Sequence, residues 1–148
     1  MAYFVKPELK RQAYQKTGGN CAFCGDTLAD KYTVSHIVNP AQFKVLMIKH
    51  KQNKGSEIPV YLEHLDPYDS MHIDNILACC IPCNFQKKEL SVEAYRDKIM
   101  STVGVLDRND KNYKLAKRFG LVQETDKDSI TFYFEQIDVY NKKRKEAV

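Results

Sequence analysis

Asp74-Asn75-Ile76-Leu77-Ala78-Cys79-Cys80-Ile81-Pro82-Cys83-Asn84-Phe85-Gln86-Lys87 is the stretch that decides the fold. It holds a Cys-x-x-Cys pair, Cys80 and Cys83, with an asparagine on each side. A second pair, Cys21 and Cys24, lies upstream in Asn20-Cys21-Ala22-Phe23-Cys24-Gly25. Two such pairs supply four thiolates at the spacing of a tetrahedral zinc site. Four thiolates fill the coordination sphere, so the expected zinc is structural. Closing the site draws residues 21 and 84 together and leaves His36 between the two clamps. The fifth cysteine, Cys79, is expected in the core, where a free thiol packs as a small hydrophobe.

The 148 residues suffice for one compact domain or a domain with an appendage. Sixteen aromatic side chains, nine Tyr and seven Phe, can build a core without Trp. No apolar run approaches the ~20 residues of a membrane span. No signal peptide is read at the start, since Lys6, Glu8 and Lys10 interrupt it. The expectation is a soluble cytoplasmic protein, where Cys-x-x-Cys spacing favours metal over disulfides.

Net charge is +4, mildly basic. The cations fall in groups: Lys6, Lys10, Arg11 and Lys16; then Lys49, His50, Lys51 and Lys54; then Lys142 to Lys145. Each is either a solvated face or a surface for a polyanion.

Local signals predict a helix over 6–16, opened by Pro7 and stopped by Thr17-Gly18-Gly19-Asn20. Tyr32 to Ile37 is β-branched and aromatic and reads as a strand ending near His36. Phe43, Leu46, Met47 and His50 mark a helix over 41–50. Residues 51–59 read as a loop, and 60–74 carry no clear period. Ile76 to Cys79 reads as a buried strand, and Pro82 opens a helix through Lys88. Ser91 is placed to cap a helix reaching Met100. Gly104 and Asp107 to Asp110 are expected to break structure. A helix over 111–119 should end at Gly120. Residues 121–122 and 130–134 read as two strands, with a helix over 130–140 as the alternative.

The ordered set Cys21-x-x-Cys24, His36-Ile37-Val38-x-Pro40, Asn75-Ile76-x-x-x-Cys80-x-x-Cys83-Asn84-x-x-Lys87 resembles the zinc-containing HNH endonucleases. These have a ββα-metal fold. The resemblance covers about residues 18–90 and leaves 1–17 and 91–148 outside it. It implies an α+β chain: an N-terminal helix (1–17), an HNH nuclease core with a structural four-cysteine zinc site (18–90, with an insertion at about 41–72), and a mostly helical C-terminal extension (91–148).

The resemblance also implies roles. His36 matches the general base that activates water. Asn75 matches the middle asparagine, whose side chain holds the loop and orients the histidine's backbone. Asn84 matches a ligand of a catalytic Mg²⁺ or Mn²⁺. Imidazole is a base suited to neutral pH, and a hard cation suits phosphodiester hydrolysis. The family commonly has Asp before the first His. Here Ser35 stands there, with Asp74 or a carboxylate of 63–69 as alternative sources of charge. Lys49, Lys51, Lys54, Lys87 and Lys88 are the expected DNA contacts, while His50, His64 and His72 read as surface residues. The expected activity is divalent-metal-dependent cleavage of DNA. The alternatives are a zinc-stabilised nucleic-acid-binding protein with weakened catalysis and a purely structural zinc module.

Overall fold

A computed structural model of the chain describes residues 4–52 and 58–137. They divide into two compact units. One runs through Ser91 and takes in the segment from Thr131, and the other spans Val92–Ile130.

The first unit is built on a short antiparallel pair, β1 (Thr33–His36) and β2 (Ile76–Cys79). Thr33 lies opposite Cys79 and His36 opposite Ile76. All four β2 residues are buried, as the apolar run requires. Helix α1 (Pro7–Lys16) packs against this pair. Pro7 occupies its first turn, where a missing N–H costs nothing. Gly18 and Gly19 then turn the chain with φ of +61° and +80°. Lys16 donates from Nζ to the carbonyls of Ile73 at 2.6 Å and Ile76 at 2.5 Å.

Helix α2 (Pro40–Lys51) is capped by Asn39, whose Oδ1 accepts from Ala41 N at 2.8 Å. It buries Phe43 and Met47. The stretch without a clear period, 60–74, forms two single 3-10 turns, Val60–Leu62 and Ile73–Asn75, joined by loops. Helix α3 (Ile81–Lys87) leaves β2 directly, with Pro82 in its first turn and Cys80 just before it. It packs against β1, so β1, β2 and α3 form one ββα unit.

The second unit holds α4 (Val92–Met100), α5 (Thr102–Asn109) and α6 (Lys111–Arg118). Helix α4 begins directly after Ser91. The break expected at Gly104 is absent: α5 runs through it. A helical glycine costs only about 1 kcal/mol relative to alanine, which neighbouring turns absorb. The break falls at Asp110, whose side chain accepts from Tyr113 N at 2.8 Å and caps α6. Gly120 follows α6 with φ +71°.

The strands expected at 121–122 and 130–134 do not form. A strand needs a partner, and none pairs there among the described residues. Instead the chain returns to the first unit at Thr131 and makes one helical turn, α7 (Tyr133–Gln136). The longer alternative helix shrinks to that turn, and residues 138–140 lie outside the described part. Tyr133 N donates to Phe23 O at 3.2 Å and Phe134 N to Ala22 O at 2.8 Å. Phe23, within the first cysteine turn, meets Phe132 and Phe134 edge to face, and those two rings stack on each other. No described helix is long and apolar enough to cross a membrane.

Candidate functional site

The four clamp cysteines converge. The Sγ atoms of Cys21, Cys24, Cys80 and Cys83 all lie within 4.8 Å of one another. Cys24 Sγ and Cys80 Sγ are 3.9 Å apart. With metal–sulfur bonds near 2.3 Å, tetrahedral geometry puts sulfurs about 3.8 Å apart. The cluster can therefore hold a metal ion such as zinc. Local structure explains the convergence. Gly25 takes φ +83°, and a Cβ there would sit 3.3 Å from the Tyr133 ring. The tight turn carries Cys21 N to Asp26 O at 2.8 Å and aims further amides at sulfur. On the other side, Cys80 precedes α3, and its N–H points at Cys21 Sγ at 3.4 Å. A hydrogen bond from the Cys83 thiol, with the amides of Cys80, Cys24 and Phe23, lowers the Cys21 pKa to about 4. One sulfur is thus held as thiolate, the form that binds metal. Cys79 lies in the core and is fully buried, and burial raises its thiol pKa far above the usual range.

His36 ends β1 directly across from β2, half-buried. Its surroundings are held by two buried groups. Asn75 is fully enclosed. Its Oδ1 accepts from Val38 N at 2.9 Å, while Nδ2 donates to Val38 O at 3.0 Å and Ser70 O at 2.8 Å. The Asn75 backbone carbonyl also accepts from Ile37 N at 2.9 Å. The two residues after His36 are therefore both tied to Asn75. Lys87, only 2 % exposed, donates from Nζ to His36 O at 3.0 Å.

This placement corrects the reading of Lys87 as a DNA contact: its ammonium faces a backbone carbonyl inside the protein. Burial lowers its pKa to about 8. Burial, with the Lys87 charge nearby, lowers the His36 pKa to about 4. The imidazole is then neutral throughout the physiological range, in the form that accepts a proton. It is also a weaker base than free imidazole. Its Nε2 lies 3.4 Å from Met71 Sδ.

Asn84 sits on α3, half-buried, with no side-chain hydrogen bond among the described residues. The Ser35 hydroxyl is buried, 4 % exposed as a residue, and it too has no hydrogen bond among the described residues. No carboxylate among the described residues is bonded to either of them. Asp74, an alternative source of charge, turns its carboxylate toward two imidazoles. Oδ2 lies 3.3 Å from His64 Nε2 and 3.7 Å from His72 Nδ1. His50 Nε2 likewise lies 3.6 Å from Glu63 Oε1. His50 and His64 thus each face a carboxylate distant in sequence, whereas His72 Nδ1 accepts from Asp74 N at 3.1 Å and caps the turn Ile73–Asn75.

The basic groups are placed unevenly. Lys10 lies over the Tyr32 ring, Arg11 pairs with Glu8 at 2.6 Å, and Lys16 binds carbonyls. The first group is therefore largely engaged within the protein. Lys49 and Lys51 are exposed on α2. Lys88 is exposed past α3 with its Nζ 5.7 Å from the Phe85 ring centroid. Lys54 and Lys142 to Lys145 lie outside the described residues. The chain matches no protein-family model, and no curated protein and no solved structure is significantly similar to it.

Proposed function

We propose that the chain is a divalent-metal-dependent endonuclease of the HNH type that hydrolyses DNA phosphodiester bonds. The observation that carries this reading is the buried grip on the backbone around His36. Enclosing an asparagine amide and a lysine ammonium is costly unless each is hydrogen-bonded. Here both are committed to the residues at and just after one half-buried histidine. The network also stabilises the fold, and by fixing the backbone at His36 O and at Val38 it fixes where the imidazole is presented. The ββα order and the four-cysteine cluster, read as a structural zinc site, support the same assignment.

In this reading His36 takes the proton from water as the water oxygen attacks phosphorus and the P–O bond to the leaving oxygen breaks. Asn75 and Lys87 hold the His36 segment in place without touching substrate. Asn84 would hold a Mg²⁺ or Mn²⁺ through its amide oxygen, and such a cation would offset the charge developing on the scissile phosphate and the leaving oxygen. Exposed Lys49, Lys51 and Lys88 are available to the DNA backbone.

The test is cleavage of supercoiled plasmid with and without Mg²⁺. Conversion to nicked or linear product only with the cation is expected. The acid limb of its pH profile should lie near the lowered His36 pKa of about 4, not near the ordinary imidazole value. Below that limb His36 is protonated and cannot accept a proton; above it the base is available. Metal-independent cutting, or none, defeats the reading.

Ser35 motivates a second reading, a zinc-stabilised nucleic-acid-binding protein with weakened catalysis. A hydroxyl brings no charge where the family usually has a carboxylate. Ser35→Asp is expected to move the Mg²⁺ titration of cleavage to lower concentration, because a charged oxygen binds a hard cation more strongly. An unmoved midpoint excludes Ser35 from the cation site.

A further inference from the structure

We propose that the outer face of α6 is a contact surface for the phosphate backbone of duplex DNA. The helix has two unlike sides. Its inner side is occupied by Tyr113, Ala116 and Lys117, of which Tyr113 and Ala116 are half-buried. Tyr113 Oη donates to Glu124 Oε1 at 2.9 Å. Lys117 Nζ reaches the same carboxylate at 2.9 Å and Asp107 Oδ1 at 3.2 Å. Asp107 and Glu124 are therefore engaged by Lys117, and Asp110 caps the helix by accepting from Tyr113 N at 2.8 Å.

Lys111, Lys114 and Arg118 lie at i, i+3 and i+7 and form one row on the other side. All three are exposed, and none has an ion-pair partner among the described residues. Leaving three like charges in a row unneutralised costs repulsion, which an external polyanion relieves.

Charge and spacing select the partner. Seven steps at 1.5 Å carry the row over about 10 Å. Along duplex DNA, phosphates recur about every 3.4 Å of axis on each strand, so the row faces several of them. The competing partner is an anionic bilayer, because an interfacial helix sinks an apolar face into lipid and Leu115, Phe119 and Leu121 are exposed on and just after α6. Within the helix itself only Leu115 is an exposed large aliphatic residue, too little for such a face. This surface does not use His36 or the cysteine cluster, so it stands or falls apart from the cleavage reading.

The test is binding of a short fluorescent duplex by the full chain, without Mg²⁺, across a range of salt concentrations. Wild type should bind, with log affinity falling linearly with log salt. The triple variant Lys111→Gln, Lys114→Gln, Arg118→Gln should bind on the order of tenfold or more weakly at low salt. Its salt slope should be shallower by about 2–3, since each phosphate contact contributes about 0.9. The positions are exposed, so circular dichroism and Tm should match wild type. Lys49→Gln with Lys51→Gln serves as a separate comparison on α2.

An unchanged affinity and slope in the triple variant overturns the proposal. So does failure of wild type to bind duplex, tighter binding to single strands than to duplex, or a preference for anionic phospholipid vesicles. A wild type that binds through α6 but never cuts supports this surface and defeats the nuclease assignment alone.

Discussion

Cys83→Ser is expected to leave no soluble, folded protein. The substitution removes one of four sulfurs that lie within 4.8 Å of one another. Binding of zinc at such a site is worth about 10–16 kcal/mol, which matches or exceeds the whole stability of a typical domain, ~5–15 kcal/mol. The clamp also has much to hold. It joins the first cysteine turn to the start of α3, and Phe23 within that turn packs against Phe132 and Phe134. Without the metal, the three remaining thiols would crowd as partly ionised or poorly partnered sulfurs. Elemental analysis of wild type should give one zinc per chain, and strong chelation should abolish cooperative unfolding of the first unit. Folded wild-type protein with no metal and four titratable thiols would refute the clamp.

His36→Ala should remove cleavage while leaving secondary structure and zinc content intact. Loss of a general base costs typically ~10²–10⁴-fold. Truncation to Ala leaves the backbone bonds to Asn75 and Lys87 in place, so a folded variant is expected. Asn75→Ala tests the same site by a different route. It strips partners from Val38 N, Val38 O and Ser70 O, and each buried group left unpaired costs about 1–3 kcal/mol. That variant should lose both stability and cleavage, whereas His36→Ala loses cleavage alone. Thermal unfolding measured beside plasmid cleavage separates the two. Equal cleavage by His36→Ala and wild type rules His36 out as the base.

Much of the frame is set by short-range chemistry and is therefore legible in the residues. Cys-x-x-Cys followed by glycine makes a tight turn because only glycine takes φ +83° there without strain. Pro7 and Pro82 mark first turns of helices because the missing N–H has no helical partner to lose, and the structure adds Pro40, which opens α2 one residue ahead of the expected helix. The β-branched and apolar runs of β1 and β2 name the two strands. The order of His36, Asn75 and Asn84 along the chain marks them as a set through a family resemblance.

The tertiary structure alone decides where long, ambivalent side chains go. A lysine stem packs as readily in a core as on a surface. Its destination depends on which backbone carbonyls the fold leaves without donors. Lys16 finds Ile73 and Ile76, and Lys87 finds His36, across more than fifty residues of chain. Neither sequence neighbourhood contains that information. The same holds for Asp74 facing His64, and for Thr131 onward, which trades the strand expected over 130–134 for contacts with Ala22 and Phe23. On α6, Lys117 pairs with Asp107 and Glu124 and Asp110 caps the helix, while Lys111, Lys114 and Arg118 have no ion-pair partner among the described residues. A count of charges cannot show this, because helix geometry determines which cation the acids reach.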